Sequence, residues 1–252
     1  MQKYLLAHDL GTSGNKATLF TLDGALVNSK TSEYGTRYFN STWAEQNPDD
    51  WWNAICLSTK ELLKNIDKKD VLAVSFSGQM MGCLCVDKNG VPLRPSIIWA
   101  DMRASKEEEY LKNKIDPMKF YKTVGHKISS SYSLEKLMWI KNNEPDVYKK
   151  THKMLNAKDY IIFKMTGKFV TDYSDASGTN VFDINKFEWS DEILDAVGMD
   201  KSILPKAVES THVAGEISAK IADECGLAVG TKVVMGGGDG MCASVGAGSV
   251  SE

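Results

Sequence analysis

Two glycine-bearing loops hold the acids of this sequence best suited to phosphate chemistry: Ala7-His8-Asp9-Leu10-Gly11-Thr12-Ser13-Gly14-Asn15-Lys16 and Gly236-Gly237-Gly238-Asp239-Gly240. In the first, an acid at a strand end precedes Gly11, Thr12 and Ser13. Their amides and hydroxyls can surround phosphate oxygens while Asp9 faces an accompanying Mg²⁺. The spacing is not that of a Walker loop, because Gly11 and Gly14 are too close and Lys16 stands two residues beyond Gly14. Nor is it a dinucleotide fingerprint, because Ala17-Thr18-Leu19-Phe20 continues as a strand instead of opening a helix. An ordinary polar hairpin turn would read the same way. In the second loop, three glycines let a ligand approach the backbone, and Asp239 sits at a strand-to-helix corner where it can accept a proton or cap the helix. Taken together, the two acids suggest one cleft that holds a metal-bound phosphate and a hydroxyl nucleophile.

Bulk properties narrow the partners. The 252 residues, 42% of them hydrophobic, can bury a sizeable core as one large domain or two small ones. Lys and Arg number 30 against 33 Asp and Glu, a net charge of −3 with no basic stripe, which argues against nucleic acid or an anionic membrane. No apolar signal region is completed before Asp9, and no apolar run reaches bilayer length. Of the cysteines at 56, 83, 85, 225 and 242, only Cys83 and Cys85 are close, on one face of a strand; the set suits reduced thiols in the cytoplasm. Zinc is not expected, since there is no Cys-x-x-Cys and the four histidines are scattered.

The elements that must position the two acids follow from periodicity. Strands are expected at Tyr4 to Ala7, at Lys16 to Thr21 and from Leu26, with Asp23-Gly24 as a tight turn, so the chain opens as a three-stranded meander. Asn47-Pro48-Asp49-Asp50 supplies a cap, a first-turn proline and two acids ahead of Trp52, Ile55, Thr59, Leu62 and Leu63 at helical spacing. Val71 to Phe76 reads as a central strand, and Cys83 to Val86 reads as a further strand of the resumed sheet. Helices are expected at Leu134 to Lys141, Lys158 to Thr166, Ser190 to Val197 and Ile217 to Cys225, the last three stopped by Gly167, Gly198 and Gly226. Lys232 to Met235 is a last strand running into the glycine loop, and Met241 to Ala247 a small-residue helix. Glu107-Glu108-Glu109 reads as a solvated helix face, and Asp172 and Asp175 as residues that order a turn. The order argues for an α/β domain with a mixed sheet.

Seven motifs, taken in order, resemble the N-terminal domain of the FGGY family of carbohydrate kinases, and within that family the xylulokinases, from Tyr4 to Val250. They are Asp9-Leu10-Gly11-Thr12-Ser13, the hairpin of actin-like ATPases; Trp43-Ala44-Glu45-Gln46-Asn47-Pro48-Asp49-Asp50-Trp51-Trp52; Ser77-Gly78-Gln79-Met80-Met81-Gly82; Trp99-Ala100-Asp101-Met102-Arg103; Lys158-Asp159-Tyr160; Thr171 to Thr179; and Gly236-Gly237-Gly238-Asp239. The resemblance implies an actin-like (ribonuclease H-like) α/β ATPase domain with a mixed β-sheet flanked by helices, residues 1–252 forming the sugar-binding N-terminal half of a two-domain kinase. It further implies ATP and Mg²⁺ as cofactors, a small sugar as substrate, and transfer of the γ-phosphoryl group to a sugar hydroxyl. Asp239 would be the general base, Asp9 would hold Mg²⁺ through water, and Gly11, Thr12 and Ser13 would contact phosphates. Sugar recognition would fall on Gln79, Met80, Met81 and Trp99, with Asp101 and Arg103 close by. A homodimer is left open.

Two departures bear on this expectation. Xylulokinases carry Met-His where this sequence has Met80-Met81, and Asp-Asn where it has Asp239-Gly240, so two polar sugar contacts are missing and the choice of sugar is open. Family members are also roughly twice as long, a second half supplying the adenosine pocket. This half alone is expected to be inactive. A non-catalytic sugar-binding module on the kinase scaffold, or an actin-like ATPase of the chaperone class, are the competing readings.

Overall fold

Along Tyr4–Leu10, Leu6, His8 and Leu10 are buried while Leu5 and Asp9 are exposed, the period-two pattern of a strand with one face on a core. A computed structural model describes residues 2–250 and shows this strand paired antiparallel with Gly14–Thr21, which pairs antiparallel with Leu26–Glu33, the expected meander. On its other edge Tyr4–Leu10 runs parallel to Val71–Gly78, which in turn pairs in parallel with Lys232–Val234 and with Gly237–Gly238; Val213–Glu216 closes the sheet antiparallel to Lys232–Val234. The result is a seven-stranded mixed sheet.

Helix Pro48–Leu62 starts where expected, Asn47 Oδ1 accepting from Asp49 N–H, and lays Trp51, Trp52, Ile55 and Leu62 against the meander. Ala157–Thr166 and Ala219–Cys225 complete this first core, each stopped by a left-handed glycine, Gly167 and Gly226. A second core gathers around helix Ser133–Asn143 and takes in Leu111, Phe120, Trp189 and Leu194. Leu84–Val86 is a strand, but it joins Lys153–Leu155 in a separate two-stranded sheet and does not extend the central one. A short apolar run signals burial without signalling which sheet buries it. The run Glu107 to Glu109 does lie on a helix, Ser105–Lys114, yet Glu107 is buried and accepts from Asn142 Nδ2, and Glu108 accepts from Ser130 N–H, so only Glu109 matches the expected solvated face.

Two buried polar assemblies brace the sheet. His8 stacks on Phe76; Asn15 Nδ2 donates to its Nδ1 at 3.1 Å, which places the ring proton on Nε2 facing Thr59 Oγ1 at 3.3 Å. Burial lowers its pKa to about 4. Elsewhere a chain of charges links Asp101, Arg103, Glu45, Arg94 and Glu144. Arg103 grips Asp101 through Nε and Nη2, its Nη1 lies 2.9 Å from Glu45, and Arg94 bridges Glu45 and Glu144. The Arg103 guanidinium sits 3.9 Å over the Trp43 ring, with Trp139 beyond.

Because His8 is neutral in the fold and protonated in the unfolded chain below pH 6.5, its share of stability is intact above pH 6.5. That share is lost as pH falls toward about 4, at about 1.4 kcal/mol per unit. The melting temperature should therefore drop between pH 6.5 and 5, and His8→Gln should flatten that slope; an unchanged slope in the variant would assign the loss to other groups. Removing Arg103 leaves the buried Asp101 without a cation, while Glu45 keeps Arg94, so Arg103→Ala should cost about 3–5 kcal/mol in urea unfolding. Arg103→Lys should recover little, since an ammonium cannot both grip Asp101 and stack on Trp43. A loss under about 1 kcal/mol, the value of a surface pair, would contradict this.

Candidate active site

Strand register decides where the acids meet. Asp9 lies opposite Ser77, and Ser77 lies opposite Gly237, so three parallel strand ends are level and Asp239 emerges one residue past Gly238 beside them. Both acids line one cleft of about 540 Å³ on the open face of the sheet, together with Lys16, Ser77, Gly236 and Cys242. Asp9 accepts from Ser77 Oγ at 2.7 Å through Oδ1. Asp239 is exposed, and the fold takes away only part of its carboxyl's solvation. Burial raises its carboxyl above the usual aspartate range, the Gly240 N–H bond opposes this, and the charge of Asp9 adds to the rise. An exposed carboxylate with one oxygen unshared suits Mg²⁺, which keeps waters and phosphate oxygens as its other ligands; among the described residues no three acids, histidines or cysteines converge on a protein-only cage.

The turn between the first two strands is closed by Gly11 N–H donating to Gly14 C=O at 3.0 Å, so that amide is used internally. The amides of Thr12 and Ser13 make no bond among the described residues. Tyr34 OH donates to Gly11 C=O, and Gln46 Nε2 donates to Thr12 C=O, each at 2.6 Å. Trp99, 42% exposed, donates its Nε1–H to Thr12 Oγ1 at 2.9 Å, which joins the predicted sugar-contact aromatic to the predicted phosphate hairpin. Gln79, 2% exposed, donates to Gln46 Oε1 at 2.7 Å and its backbone N–H to Leu10 C=O. Gln46 thus anchors both segments; it lies inside a motif noted in the sequence, but no local pattern gave it a role.

Met80 and the glycine loop are packed together. A Cβ on Gly238 would overlap Met80 Sδ, Cγ and Cε, and one on Gly178 would come within 2.9 Å of Met80 Cε. Gly236 has φ +67° and passes so close to the Phe76 carbonyl that no side chain fits there. Met81 is left-handed at φ +61°, and Lys136 holds it by donating from Nζ to its carbonyl at 2.7 Å and also to that of Ser131. Lys136 is fully buried, which lowers its pKa to about 7. Gly240 has open space around it. Asp101 and Arg103, like Gln79, are buried: neither side chain has exposed surface, and both are spent on the charge chain beneath the Trp99 segment. Asp172 does order a turn, as the N-cap of helix Tyr173–Ser177, but with Asp175 and Asp159 it also surrounds the buried Lys158.

The N-terminal-domain profile of the FGGY family of carbohydrate kinases matches residues 4–246. Xylulose kinase of Staphylococcus xylosus is 34% identical over 249 residues, 99% of this chain and 52% of that protein. Among solved structures, gluconate kinase from Lactobacillus acidophilus superposes with a TM-score of 0.93 at 29% identity, and a ligand-bound xylulose kinase from the same organism with 0.92 at 30%; each covers 98% of this chain and 50% of the other. The chain spans about half the length of the relatives it matches. With strand ends, hairpin and glycine loop arranged as described and the profile matched almost end to end, the chain belongs to the FGGY family of carbohydrate kinases, in which it corresponds to the N-terminal domain.

Proposed function

We propose that this chain is the sugar-binding half of a kinase that uses ATP and Mg²⁺ to phosphorylate a hydroxyl of a small sugar, xylulose or a related ketose, polyol or sugar acid. The observation that carries the reading is the pair Asp9 and Asp239, which flank the level end of the strand Val71–Gly78 and line one cleft. Asp239 accepts the proton of the attacking hydroxyl, a task that its desolvated carboxyl suits better than a fully solvated one. Asp9 would hold Mg²⁺, which would supply positive charge to offset that on the phosphate oxygens. The unshared amides of Thr12 and Ser13 and the Thr12 hydroxyl, already oriented by Trp99, bind phosphate oxygens without rearranging.

Trp99, Met80 and Met81 form the apolar wall for the CH face of the sugar, and Gln79 fixes the segment that carries the two methionines. Asp101 and Arg103 contribute by holding the Trp99 segment from beneath. Met81 and Gly240 bring no polar side chain, which leaves the wall less discriminating between sugars than one with a histidine and an amide. Xylulose heads the list of substrates, with gluconate behind it, because proteins named xylulose kinase and gluconate kinase match this chain along nearly its whole length.

ADP release by a protein that carries this domain with its second half should rise with one sugar of a panel of xylulose, ribulose, glycerol and gluconate, and Asp239→Asn should lower that rate by about 10²–10⁴. Sugar binding without any stimulated ADP release would favour a binding module instead. Since Asp239 works deprotonated and its carboxyl is raised, kcat/KM should fall with decreasing pH, beginning above the ordinary aspartate range. A pH profile still flat at pH 4 would contradict the assignment.

A further inference from the structure

Lys158 is a fully buried cation on helix Ala157–Thr166 with three carboxylates around it: Asp172 at 2.9 Å, Asp175 at 3.1 Å and Asp159 at 3.4 Å. One positive charge cannot hold three buried negative charges, and the environment sorts them. Burial opposes ionisation of Asp172, but Lys158 and the hydroxyls of Ser174 and Ser210 outweigh it and its carboxyl lies below the usual range; burial drives Asp175 and Asp159 the other way. Asp172 is the member kept as an anion.

An anionic carboxylate only accepts hydrogen bonds. Asp172 Oδ2 takes three, from Ser174 N–H at 2.9 Å, Ser174 Oγ at 2.6 Å and Ser210 Oγ at 2.7 Å. The Ser174 hydroxyl must therefore point its proton at Asp172. Its oxygen lone pair then faces the glycine loop and accepts from Gly238 N–H at 2.9 Å. Gly238 is the residue before the base and caps the helix Asp239–Gly246.

We propose that Ser174 is a positioning residue for phosphoryl transfer: its hydroxyl, oriented by the Asp172 carboxylate, tethers Gly238 N–H and thereby aims the Asp239 carboxyl at the attacking hydroxyl. The inference rests on Asp239 being the base. Asp172 and Lys158 act one and two steps further back, Lys158 by keeping Asp172 charged. Ser210 donates to the same Asp172 oxygen, and its bond to the loop, from Gly236 N–H to the Ser210 carbonyl, is a backbone bond that alanine keeps, which makes it the natural control.

The test is steady-state kinetics of the two-domain kinase with the sugar it turns over, comparing Ser174→Ala, Ser174→Thr, Ser210→Ala and Asp239→Asn. Loss of one tethering hydrogen bond should lower kcat of Ser174→Ala about tenfold with the sugar KM within about threefold, because the bond aligns the base and does not hold the sugar. Its acid limb in kcat/KM should move to lower pH as the freed carboxyl gains water, whereas Ser174→Thr and Ser210→Ala should keep near-normal kcat and limb. Normal kcat in Ser174→Ala beside an inactive Asp239→Asn would overturn the tether and leave the base assignment standing. Equal kcat losses in Ser174→Ala and Ser210→Ala that track their melting temperatures, with the limb unmoved, would reduce Ser174 to a structural part and also overturn it. An active Asp239→Asn would remove the base and the tether together.

Discussion

The site depends first on the parallel pairing of Tyr4–Leu10 with Val71–Gly78 and of Val71–Gly78 with Gly237–Gly238. Hydrogen-bonded strands lie about 4.8 Å apart, so level ends on either side of Val71–Gly78 bring groups from the two extremes of the chain to within about 10 Å, without any flexible loop to span the distance. The pairing requires an unusually close backbone approach. Gly236 runs against the Phe76 carbonyl, Gly78 leaves 3.2 Å between its missing Cβ and Lys158, and Gly14 passes the Ser32 carbonyl in the hairpin. At each place the glycine is required by the neighbouring main chain or helix, and the ligand-accessible character of the loops is a by-product of that crowding.

Behind this frame lie three buried cations used in three different ways. Lys158 is surrounded by acids, Arg103 combines two acids with a stack of indoles, and Lys136 has only two carbonyls within hydrogen-bond reach. Burying such groups is costly, and apolar side chains of the same volume would often stabilise a fold as well or better. What the cations provide is direction. Each fixes one segment of the site: the loop before Asp239, the turn bearing Trp99, and the left-handed Met81. Helix Ser133–Asn143 of the second core carries Lys136 to the methionine segment.

Much of this was legible in the sequence, and the limits have physical causes. The meander, the Asn47 cap and the glycine stops at 167, 198 and 226 are set by neighbours within a few residues, and all appear where local chemistry puts them. The pairing of Leu84–Val86 with Lys153–Leu155 was not legible, because an apolar run carries no address for its partner strand. The sequence pointed to Asp101 and Arg103 as polar groups near the sugar but did not reveal that they face inward, since burial of a pair two residues apart depends on Glu45 and Trp43 from a distant strand. Ser174 and Gln46 escaped altogether. Their partners lie 64 and 34 residues away, and serine or glutamine inside a motif has the same local look whether it tethers a loop or solvates a surface.

The contact of Met80 with Gly238 and Gly178 has an evolutionary consequence. Three positions from three separate segments share one volume, so a larger residue at 238 requires Met80 to turn away or shrink, while at 178 the clash is with the outer end of the same side chain. Substitutions there are epistatic by steric exclusion. Enlargement of residue 80 is tolerated only while glycine persists at 178 and 238, whereas Gly240, with open space around it, carries no such restriction.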